Sequence, residues 1–119
     1  MSDEIRIQGH IPDSKNEINV AMALDELKLE YIFQYQVGMP GVRGSQVIDF
    51  LVYTIPLPTP LFVHGRYWHE GRMGAEDTLK MAELTSQSRG RWADPVIVWG
   101  EDTETVEDAK VALQKELML

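Results

Sequence analysis

Glu17, Asp49, His64 and His69 are the residues of this chain best suited to move protons or hold a cation. Asp49 lies in "QVIDFLVY", where it interrupts an apolar run. An unpaired carboxylate is costly to bury there, so Asp49 is either hydrogen-bonded to a neighbouring segment or a metal ligand. His64 and His69 fall in "FVHGRYWHEG", residues 62 to 71, five positions apart and separated by Gly65. A histidine at a strand end can be structural, but two beside a carboxylate could act as general acid and base near neutral pH. Glu17 closes "SKNE", which has the spacing of a helix capping box and needs no further role to account for it. If the four converge, they suit a magnesium ion held by one or two carboxylates and several waters, the usual arrangement in phosphate chemistry. The glycines of "GMPGVRGS" are not followed by the Lys-Ser/Thr pair of a phosphate-binding loop.

These residues depend on the elements that carry them. Ser14 to Glu17 opens a first helix, with Val20, Leu24, Leu27 and Tyr31 as its inward stripe and Glu17 continuing it. "YIFQYQV" alternates as a first strand through Phe33, Tyr35 and Val37. In the second strand Val47, Asp49, Leu51 and Tyr53 share one face, and Ile48, Phe50 and Val52 the other. The prolines of "IPLPTP" are expected in the connection to a third strand, "LFVH". A second helix from Ala75 to Ser88 offers Leu79, Met81 and Ala82 for packing. "VIVW" reads as a buried, parallel, interior strand, and a last helix starts near Thr103. The order predicts an α/β fold: an antiparallel meander, then a crossover to a parallel strand, giving a mixed central sheet flanked by helices.

Composition narrows the function classes. The 119 residues suit one domain, 1–119, in which 1–13 form an irregular arm. There is no cysteine, which excludes disulfides, thiolate zinc sites and cysteine nucleophiles. The acidic opening "MSDEIRIQGH" does not resemble a signal peptide. The apolar region from Val47 to Val63 is broken by Asp49 and three prolines, so no membrane role and a cytoplasmic location are expected. The net charge of −8 argues against general nucleic-acid binding. Its distribution tempers that: residues 37–91 carry six bases against five acids, while both flanks are strongly acidic.

The run "FVHGRYWH", with "DFLV" (49–52) and "VIVW" (96–99), resembles the very-short-patch repair (Vsr) endonucleases of the PD-(D/E)xK restriction-endonuclease-like superfamily. The resemblance extends from Ser14 to the C-terminus and implies the αβββαβ(α) core of that superfamily. It implies a magnesium- or manganese-dependent endodeoxyribonuclease that hydrolyses phosphodiester bonds and cuts one or both strands, as homing and phage-type relatives do. Asp49 would bind the metal together with the main-chain carbonyl of Val63, which stands where the family has threonine. Glu17 would orient the attacking water, and His64 and His69 would assist proton transfer. Tyr67 and Trp68 would wedge between bases, unless they pack under the second helix instead. Arg43, Arg66 and Arg72 complete the expected DNA contacts.

The chain departs from the family at Ile48, where proline is usual, in lacking a structural zinc site, and in its acidic arm. No zinc and no mismatch specificity are therefore expected. With so few bases, a homodimer or a partner protein would have to supply affinity for DNA. The alternative is a non-catalytic module that keeps the nuclease scaffold for DNA binding or assembly.

Overall fold

The computed structural model describes residues 5–65 and 75–119. Their element order is α1 (Lys15–Glu26), β1 (Tyr31–Val37), β2 (Gln46–Val52), β3 (Thr59–His64), α2 (Ala75–Ser88), β4 (Val96–Trp99) and α3 (Val106–Glu116). The four strands lie side by side in chain order. β1–β2 and β2–β3 pair antiparallel, and β3–β4 pair parallel across the α2 crossover.

The sheet separates two apolar clusters. On one face Val20 and Leu24 of α1 and Ala109 and Leu113 of α3 pack on Phe33, Phe50, Leu61 and Val98. Phe33 and Phe50 are cross-strand partners with ring centroids 4.9 Å apart, a pairing that adds to the burial itself. On the other face Leu84 of α2 packs with Ile48 and Phe62, and with the half-buried Met81 and Trp92.

Several elements differ from the sequence expectation, each for a local reason. Tyr31 opens β1 instead of extending the α1 stripe, because the helix ends at Leu27 and Lys28 turns the chain at φ 59°. On α2 the inward residues are Met81, Leu84 and Ser88, whereas Leu79 and Ala82 are exposed. Spacing identifies a face, but docking against Ile48 and Phe62 sets the rotation. β3 begins at Thr59 and includes Pro60, opposite Leu51; β4 pairing starts only at Leu61, so a missing N–H is tolerated there. β4 is parallel as expected but is an outer strand of the described sheet, and only Val98 in it is fully buried. The last helix is preceded by a single turn, Gly100–Asp102, and is capped by Thr105, whose hydroxyl accepts the Asp108 N–H at 3.0 Å.

The N-terminal arm covers a sheet edge. Ile7 and His10 bridge across a tight turn at Gln8 and Gly9. The Gln8 amide donates to the Tyr31 carbonyl (2.6 Å) and accepts from the Phe33 N–H (2.8 Å). A side chain thus satisfies backbone groups of β1 that an open edge would leave available for unwanted pairing.

Candidate functional site: a carboxylate in a forked sheet

β2 and β3 pair from Val52↔Thr59 to Phe50↔Leu61, where their register stops. β1 and β2 stay paired as far as Val37↔Gln46, and β3 and β4 as far as His64↔Trp99. The sheet therefore forks, with β1–β2 on one branch and β3–β4 on the other. The faces shift at the same place. Phe50 packs toward α1 and α3 but Ile48 toward α2, beside Gln34, whose φ of 55° breaks the extended backbone of β1.

Asp49 sits at the base of the fork. Its Oδ2 accepts the Val63 N–H at 2.9 Å, so a carboxylate replaces the strand backbone as the acceptor. That bond orients the carboxylate and partly answers the burial problem posed by the sequence. It does not answer it fully: burial still pushes the Asp49 carboxyl above its usual range. The Val63 N–H and the charge of His64 pull the other way, and the charge of Asp13 adds to the rise.

Glu17 lies in the first turn of α1, within reach of the Asp49 charge, and is only 5% exposed. Ser14 caps that turn, its hydroxyl accepting the Glu17 N–H at 3.3 Å, and Glu17 Oε1 accepts the Asp13 N–H at 2.7 Å. The capping role is therefore real, with the stronger reach made to Asp13 and a weaker one to the Ser14 backbone. Burial is the main cause that raises the Glu17 carboxyl; the Asp13 N–H bond pulls it down, the charges of Asp49 and Asp13 raise it, and the backbone of Ser14 lowers it slightly. Asn16 and Asn19 hold this turn in place. Asn16 Nδ2 donates to the Gly100 carbonyl (2.9 Å) and Asn19 Nδ2 to the Thr103 carbonyl (2.9 Å), which ties α1 to the turn after β4.

His64 ends β3 beside the fork. Its ring lies edge-on to Trp99, centroids 5.4 Å apart, and 6.3 Å from Phe62. The Gly100 N–H donates to the Gly65 carbonyl at 3.1 Å, and a Cβ at Gly100 would stand 3.4 Å from the Gly65 carbonyl carbon. The strand ends are closed together there, and this fixes the backbone that carries His64.

The fold thus brings Glu17, Asp49 and His64 into one electrostatic neighbourhood, with Val63 bonded to Asp49. Arg43 lies elsewhere, exposed in the loop between β1 and β2. Arg66, Tyr67, Trp68, His69 and Arg72 lie outside the described residues. Sequence reasoning missed Asp13, whose charge acts on both Glu17 and Asp49. Its position just before the helix cap was visible, but its reach across to β2 depends on tertiary packing. It also missed Trp99 as the partner of the His64 ring, a contact that follows from the β3–β4 register.

The donor set can be weighed against a divalent cation. Among the described residues no group of three or more His, Asp or Glu side chains is placed to hold a metal ion. Magnesium does not need one, since it commonly keeps several waters and takes one or two carboxylates together with substrate phosphate. Asp49 and Glu17 supply hard oxygen donors; the charge of Asp49 raises the Glu17 carboxyl, and a cation there would relieve that repulsion. The residues fit that use. Compared with protein-family models, curated proteins and solved structures, the chain finds no match.

Proposed function

We propose that the protein is a magnesium- or manganese-dependent DNA endonuclease of the restriction-endonuclease-like, Vsr-like kind, acting in the cytoplasm. The observation that carries this reading is the Asp49 carboxylate in the strand fork, oriented by Val63 and coupled by charge to Glu17 and His64. A carboxylate with a purely structural role gains little from a second buried acid and a third charge nearby. Such clustering of perturbed acids is a recognised mark of functional sites. The order α1, three antiparallel strands, α2, parallel strand, α3 supports the same reading.

In this scheme Asp49 would hold the cation, whose chemistry when bound would be charge neutralisation at the scissile phosphate. Glu17, held by its cap and by the Asn16 and Asn19 bonds, orients the attacking water and accepts its proton. A raised carboxyl is a better base than an ordinary one once ionised. His64, held edge-on by Trp99, donates or relays a proton at the leaving oxygen, with His69 expected to assist.

The acidic composition favours a second reading, in which the scaffold binds DNA or a protein partner without cutting. Supercoiled plasmid incubated with the purified protein separates the two. The nuclease reading expects conversion to open-circular or linear DNA with magnesium or manganese and none in chelator. Intact plasmid under all metals, with DNA still bound, selects the non-catalytic module.

A further inference from the structure

Among the described residues, Gln8, Lys28, Gln34, Arg89 and Met118 have a positive φ without being glycine. Gln8 lies in the tight turn of the arm, and Lys28, Arg89 and Met118 lie just past the ends of α1, α2 and α3. A left-handed residue is ordinary in such places. Gln34 is different. It stands inside β1 at φ 55°, where extended backbone is the norm and a Cβ makes the left-handed conformation costly.

The rung that Gln34 occupies is the one that carries Asp49. Phe33 pairs with Phe50 and Tyr35 with Ile48, so each strand has one residue between those pairs, Gln34 on β1 and Asp49 on β2. No residue is inserted, which separates this break from a β-bulge, where two residues oppose one.

Both strands change face at this rung. In a regular strand, residues two apart point to the same side of the sheet. Yet Tyr31 and Phe33 pack in the α1–α3 cluster, and Tyr35 and Val37 in the α2 cluster. Phe50 and Val52 likewise belong to the first and Ile48 to the second. The whole β1–β2 ribbon turns over at Gln34 and Asp49.

The turn-over accounts for the fork. β2 and β3 pair as far as Phe50↔Leu61, and the same register carried onward would set Val63 opposite Ile48. Instead the Val63 N–H goes to the Asp49 side chain at 2.9 Å. Beyond the rung β2 stays with β1 as far as Gln46 and leaves β3.

We propose that Gln34 is the positioning residue of the Asp49 site. Its left-handed backbone turns the β1–β2 ribbon over, which parts β2 from β3 and presents the Asp49 carboxylate to Val63. The requirement falls on the backbone of residue 34 and not on its side-chain amide. Glycine visits this region freely and should serve there. A β-branched residue, which resists it and favours an extended strand, should not. The inference concerns how Asp49 is placed and stands apart from the nuclease reading.

The test uses Gln34→Gly, Gln34→Ala, Gln34→Val and the milder Gln34→Thr in the full chain. In a regular strand glycine is less stable than alanine, and in a left-handed position the order reverses. Gln34→Gly should therefore melt roughly 2–4 °C above Gln34→Ala. The Val63 amide proton, followed by NMR, reports the placement of Asp49, with Asp49→Asn marking its position once the charge is lost. Gln34→Gly should keep the wild-type Val63 signal. Gln34→Val and Gln34→Thr should displace it at least as far as Asp49→Asn does, whereas a merely structural role would lower the melting temperature and leave the signal in place. A folded β-branched variant with the wild-type Val63 signal, or a glycine variant that melts below alanine, overturns the inference. So does loss of the signal in Gln34→Gly, which would move the requirement to the side chain. Should neither β-branched variant fold, the glycine–alanine order and the Gln34→Gly signal still decide. Failure of the wild type to bind manganese would remove the metal reading and leave each of these comparisons intact.

Discussion

Replacing Asp49 by asparagine should stabilise the protein at neutral pH, while replacing it by alanine should destabilise it. Asparagine keeps an oxygen for the Val63 N–H, now bonded at 2.9 Å. It gives up charge assistance, a loss of about 1 kcal/mol. Against that stand the removal of a part-buried charge and of its repulsion with Glu17 and Asp13. Burial is the largest influence on Asp49 and raises its carboxyl despite the Val63 bond and the His64 charge, so the ionised form is net unfavourable in the fold. The balance favours asparagine, read as a rise of a few degrees in melting temperature, about 4 °C for each 1 kcal/mol in a chain of this size. Alanine leaves the Val63 N–H without its acceptor and should cost about 1–3 kcal/mol. The pH dependence has a definite sign. A carboxyl raised in the folded state binds its proton more tightly there, so its contribution to stability is complete below the unfolded value and is lost as pH rises through the folded one. The advantage of asparagine should therefore shrink toward pH 4 and be full at pH 7. Thermal and urea unfolding of the three proteins at both pH values measures this. Asparagine as damaging as alanine at pH 7 would refute the reasoning and make Asp49 a structural acid.

Other outcomes follow from the same geometry. Glu17→Gln, which keeps an acceptor for Asp13, should also stabilise at neutral pH, and the double variant with Asp49→Asn should gain less than the sum, by about 0.5 kcal/mol in a double-mutant cycle; strict additivity would mean that the two acids do not interact. His64→Ala should slow plasmid cleavage strongly while keeping DNA affinity, and wild-type rates would make the ring structural. Gln8→Ala should remove both bonds to β1 and cost about 1–2 kcal/mol, with faster aggregation read by light scattering; unchanged behaviour would mean the arm does not protect the edge.

Much of the fold was legible because alternation and capping are local. The limits of β1 and α2, the Ser14 cap and the parallel sense of β4 all follow from patterns within a few residues. What was not legible depends on partners far along the chain. Leu79 and Leu84 are equally apolar, and only the sheet surface beneath α2 selects Leu84. Pro60 looks unfit for a strand until it is known that β4 pairs only beyond it. The site shows the same division. Asp49 stood out as an acid in an apolar strand, but the fork that admits it is invisible, since "QVIDFLV" and "TPLFVH" alternate as though they stayed paired. Asp13 could be identified only from the packing that brings its charge to Asp49 of β2.

The central claim is that Asp49 in the strand fork holds the catalytic cation. Manganese titration of the wild type and of Asp49→Asn, followed by calorimetry or by the electron paramagnetic resonance signal of the free ion, tests it without knowledge of the DNA target. The account predicts one manganese site in the wild type, weakened at least tenfold in Asp49→Asn although that variant is fully folded. Equal binding by the two proteins, or no specific site in the wild type at millimolar metal, would contradict it.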